Sequence, residues 1–118
     1  MERETFIKVM QEVLDSLPAE FRSRLKNVAV IVEDYPPGQS SDPSRRPKRL
    51  RLGLFHGVPM TKKSVFHLPT GPDYVVLYQK NIEAVCSTEA EIREQIRRTV
   101  IHEFGHYFGM DEEQLKEV

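Results

Sequence analysis

The chemistry in this chain is concentrated in the run His102-Glu-Phe-Gly-His106. Two histidines four apart project from one side of a helix, about 40° apart at 100° per residue, so their rings can converge on one ion. Neutral imidazole suits zinc. Glu103 occupies the next sector of the same face, from which a carboxylate reaches a water held on the metal rather than the metal itself. A catalytic zinc site needs a third protein ligand and leaves the fourth position to water. Gly109 is placed to end the helix with a left-handed turn and to reverse the chain towards Asp111, Glu112 and Glu113. Asp111 also suits a helix N-cap, and all three acids suit a helix N-terminus. Glu112, ten residues after His102, is the preferred third ligand because it falls where the returning chain passes beneath the histidines. The chain's own His and Glu frequencies give a chance match to His-Glu-x-x-His of roughly one in a hundred, and requiring Gly109 takes this below about one in a thousand.

The elements that must position these residues can be traced from the same sequence. With 118 residues, the chain has the length of one domain, taken as 1–118. Its 39% apolar and 30% charged residues are those of an ordinary globular protein, and a net charge of −1 offers no global attraction for nucleic acid or an anionic membrane. Thr88 and Glu91 form a capping box that opens a helix predicted to run to about Phe108. Ile92, Ile96 and Val100 point inward along it, while Glu89–Arg93 and Glu94–Arg98 form solvated i,i+4 pairs. Ile101, Phe104, Tyr107 and Phe108 then surround the helix, so the histidines and Glu103 are expected where it is most buried. Asp111 and Gln114 suggest a second capping box for a short terminal helix.

Upstream, Phe6, Val9, Met10, Val13, Leu14 and Leu17 share one helical face, Pro18 ends that helix, and Ala19–Leu25 is predicted as a short second one. Val28–Val32 is a continuous apolar, β-branched run, expected as a strand buried on both faces. Asp34–Pro47 holds four of the eight prolines with Gly38 and three serines, and the segment 34–49 is read as a mobile loop. Arg49–Phe55 alternates, with Leu50, Leu52 and Leu54 opposite Arg49 and Arg51, as a strand near an edge does. Gly57–Lys63 reads as a turn, Tyr74–Gln79 as a third strand and Asn81–Cys86 as a helical turn. His56, His67, Tyr74, Tyr78 and Tyr107 are read as packing or surface residues. The single cysteine, Cys86, excludes an intrachain disulfide and a Cys-cluster zinc site. No apolar run near the N-terminus suits a signal peptide or membrane span, and a reducing, cytoplasmic location is expected. Arg45-Arg-Pro-Lys-Arg-Leu-Arg51 holds five basic residues in seven, but no aromatic stacking positions accompany it, so no nucleic-acid partner is expected.

His-Glu-x-x-His-x-x-Gly-x-x-acid resembles the motif of the zincin metallopeptidases. The chain is most similar to the small bacterial zincin-like metallopeptidases, sometimes called minimal zincins. The similarity extends to Asn27–Asp34, Gly53–Pro59 and Arg98–Gly109, in this order. Members usually carry Asp where this chain has Glu112. The resemblance implies an α+β, zincin-like fold: a small mixed sheet with an N-terminal helix, and a long motif-bearing helix packed below it. It also implies a metallopeptidase. The function expected is hydrolysis of a peptide or protein substrate, with Zn2+ on His102, His106 and Glu112 and with Glu103 as general base. A metal-binding protein of the same fold without peptidase activity is the alternative.

Overall fold

A computed structural model describes residues 1–26, 28–57 and 73–107 of the chain. Helix α1 spans Arg3–Asp15, and the predicted stripe is its buried face: Phe6, Val9, Met10 and Val13, continued by Leu17. Pro18 separates it from α2, Ala19–Leu25, which buries Phe21. Strand β1 is Ala29–Glu33, β2 is Gly53–His56 and β3 is Tyr74–Tyr78. β3 leads without a loop into α3, Gln79–Ala84, and the long α4 spans Glu89–Tyr107. The protein is therefore α+β, as expected.

The sheet runs in the order β1-β3-β2, with β1 parallel and β2 antiparallel to the central strand. Val75 and Leu77 face α1 and α4 in a single core that includes Phe6, Ile82, Ile96, Val100 and Phe104. Each such side chain contributes about 1.5–3 kcal/mol through burial. The capping box at the start of α4 is present: the Thr88 hydroxyl accepts the Glu91 N–H at 3.1 Å, and the Glu91 carboxylate accepts the Thr88 N–H at 3.2 Å. The surface pairs Arg93–Glu89 and Arg98–Glu94 are also formed, at 3.8 and 3.2 Å.

Two strand expectations need correction. β1 is not buried on both faces; it is an edge strand with alternating exposure, and Ile31 is 39% exposed. The doubly buried strand is β3, where Val75, Val76, Leu77 and Tyr78 are all covered. Both sequences are rich in strand formers, and that composition reports strand propensity rather than position within a sheet. The strand predicted over Arg49–Phe55 is shorter, because its partner is short. Tyr78 donates its N–H to Leu52 O at 2.9 Å and the chain then enters α3, which leaves residues 49–51 nothing to pair with. Within 34–49 the described chain contains a 3-10 turn at Pro43–Arg45, capped by Asp42, and Gln39 is joined to Asn81. Most of the predicted Gly57–Lys63 turn and the terminal helix at Asp111–Gln114 lie outside the described residues.

Candidate active site

Glu103 reaches the site through a close approach of α4 to β2. Gly53, the first residue of β2, sits so near the helix that a Cβ there would fall 2.6 Å from the Thr99 methyl carbon and 3.0 Å from Val76 O. Only glycine fits without displacing one of them. One turn further along α4, Glu103 Oε2 accepts the backbone N–H of Phe55 at 3.0 Å. The ladder explains why that N–H is directed to Glu103. Leu52 already pairs with Tyr78, so alternation turns the main-chain groups of Leu54 and His56 towards β3 and those of Gly53 and Phe55 outward. The Phe55 ring packs edge-to-face on Phe104, with centroids 6.1 Å apart, and secures the same contact from the core side.

His102 lies beside Glu103 on α4. Its Nδ1 is 3.0 Å from the carbonyl oxygen of Arg98, one turn earlier. A carbonyl only accepts, so Nδ1 donates in this contact, the arrangement in which a neutral imidazole binds metal through Nε2. His102 and Glu103 open on a groove of about 590 Å3 between α4 and the chain entering β2. His102 is exposed and Glu103 half-buried, which corrects the expectation that this is the most buried part of the helix. Ile101 and Phe104 are buried as predicted, but the groove keeps the side bearing the ionisable groups open.

The residue types fit zinc: His102 donates through Nδ1, as a histidine that binds metal through Nε2 does, and His106 follows one turn along the helix. Among the described residues no three metal-ligating side chains lie together. His106 is in the last turn of α4 with its side chain outside the described set, and Asp111, Glu112, Glu113 and His67 lie wholly outside it. His56 stacks on Tyr74 with ring centroids 4.6 Å apart, in keeping with a packing role. Burial pushes the Tyr78 phenol above its ordinary value, with the Arg51 charge opposing, and burial also pushes the Cys86 thiol up. Both groups therefore stay neutral at ordinary pH.

Gly53 and the Phe55 N–H were not singled out by the sequence reading. A glycine inside an alternating strand was the available signal, since it marks a close backbone approach. Asn81 was also missed. It is buried, donates to Arg51 O at 2.8 Å and exchanges hydrogen bonds with the Gln39 amide at 2.9 Å, so it pins the groove wall.

A motif helix packed against a small mixed sheet, with its glutamate bonded to an edge strand, fits the zincin-like fold. The chain belongs to the zincin-like metallopeptidase family, whose family model matches residues 25–118. No curated protein matches it. Among solved structures it is similar to a conserved hypothetical protein from Thermus thermophilus, at 22% identity and a TM-score of 0.55, over 92% of this chain and 94% of the other. That likeness supports the fold. No described helix is long and apolar enough to cross a membrane.

Proposed function

We infer that this protein is a zinc-dependent peptidase, in which His102, His106 and Glu112 would hold the metal and Glu103 is the general base. The observation that carries the reading is the Phe55 N–H bond to Oε2 of Glu103, a residue that lines the groove. It holds the carboxylate through Oε2, which supports a reading in which Oε1 takes the proton. A zinc ion on these residues would supply the acidity that makes water a nucleophile and the charge that polarises a scissile carbonyl. Glu103 accepts the water proton at Oε1 and passes it to the leaving amine nitrogen. β2 lies at the edge of the sheet, where an extended peptide would pair through main-chain hydrogen bonds.

The test pairs two measurements on wild type and Glu103→Gln: zinc content and cleavage of a peptide library at neutral pH. The substitution preserves size and helix but removes the base. Zinc content should stay near one per chain, while turnover falls by about two to four orders of magnitude. A Glu103→Gln protein that cleaves as fast as wild type would refute the mechanism. A wild type that holds zinc and cleaves nothing would leave only the metal-binding alternative.

A further inference from the structure

The groove wall carries a charge pattern that hydrolysis itself does not require. Arg49 and Arg51 line it from the chain entering β2, and Arg98 lines it from α4. Against these three guanidiniums, Glu103 is the only carboxylate in the described lining. Arg98 is joined to Glu94 at 3.2 Å, but both side chains are largely exposed, so the pair is weak. Among the described residues neither Arg49 nor Arg51 has an ion-pair partner, and the chain as a whole is close to neutral. The positive wall is thus local, and it is built: the buried Asn81 amide holds the Arg51 carbonyl at 2.8 Å, with Gln39 closing the other side.

We propose that the groove selects peptides with acidic side chains close to the bond presented to Glu103, through Arg49, Arg51 and Arg98. The identity of the reacting bond rests on the peptidase reading; the acidic preference of the groove does not. Arg51 is four residues before Phe55, so it lies at most about 14 Å from the Glu103 contact, even for a fully extended chain. Arg98 is five residues before Glu103, about 7.5 Å along the helix. Aspartate or glutamate within about four residues of the scissile bond would therefore meet the wall, within about two Debye lengths at physiological salt. A nucleic-acid strand fits the wall less well. Leu50, Leu52 and Leu54 line it, and no Phe, Tyr or Trp does so among the described residues, so bases have no stacking platform while aliphatic side chains have contacts.

The experiment uses two fluorescein-labelled peptides, alike except for Glu or Lys at the positions flanking a central Gly-Leu, with anisotropy for binding and mass spectrometry for cleavage. The Glu peptide should bind wild type about tenfold more tightly than the Lys peptide, because each swap exchanges an attraction for a repulsion. The preference should shrink in high salt. Arg49→Glu and Arg51→Glu should each cut it several-fold, with Arg49→Gln intermediate. Arg22→Glu, the same charge change on α2 outside the groove lining, should leave it intact. Equal binding of both peptides, or an equal loss in Arg22→Glu, overturns the proposal. So does a single-stranded oligonucleotide that displaces the Glu peptide at lower concentration than unlabelled Glu peptide does, which would assign the wall to phosphate. A Glu peptide that is bound tightly and never cleaved refutes the peptidase reading and leaves this one standing. Equal binding and equal cleavage of both peptides does the reverse.

Discussion

The two edges of the sheet flank the same central strand and serve different ends. β1 ends in a structural clamp: Arg3, at the start of α1, donates to Val32 O at 2.9 Å and to Gln79 Oε1 at 2.7 Å, and pairs with Asp34. One guanidinium thereby ties α1 to β1 and to the start of α3. β2 has no comparable clamp along its outer edge among the described residues. There a main-chain N–H is given to a helix carboxylate, and a glycine is kept so that the helix can approach. An edge strand presents unpaired main-chain groups. The fold closes β1 with a side-chain clamp, and at β2 it gives the Phe55 N–H to Glu103, the residue proposed as the base.

The contrast can be broken most completely at the metal. His102→Ala and His106→Ala should each take zinc from about one per chain to none, measured by elemental analysis of the dialysed protein. In wild type, zinc should be lost in mild acid, because imidazole must be neutral to coordinate. Full occupancy in the double variant at neutral pH would sink the site assignment. Next in size, Gly53→Val forces Thr99 and α4 away from β2. Overpacking of this kind costs about 1–3 kcal/mol, and the shift should separate Glu103 from the Phe55 N–H. Turnover should then fall further than the stability loss explains, with zinc still bound. A Gly53→Val protein with wild-type turnover would mean that the close approach does not position the base.

Arg3→Ala tests the other edge. Losing a part-exposed charged donor with several acceptors should lower unfolding stability by about 1–2 kcal/mol in a denaturant titration, with zinc content and turnover unchanged. A drop in turnover at temperatures where the variant is fully folded would show that the two edges are coupled, and the division between them would fail.

Much of this architecture was legible in the residues. The stripe from Phe6 to Val13, the break at Pro18 and the Thr88–Glu91 box specify helices through local spacing and local hydrogen bonds, so their positions follow from the sequence alone. The spacing of His102, Glu103 and His106 likewise determines that they share a helix face, and the motif identified the family that the match over residues 25–118 shows. The order of the strands was not legible. Val28–Val32 and Tyr74–Tyr78 are similar as strings, and only pairing on both sides, with α4 packed on β3, decides which is interior. Nor did the sequence reveal that Glu103 meets Phe55, 48 residues away, or that Asn81 holds Arg51. Periodicity describes how one element turns its faces. Which faces meet depends on contacts between distant parts of the chain, and those are decided only when the whole core packs at once.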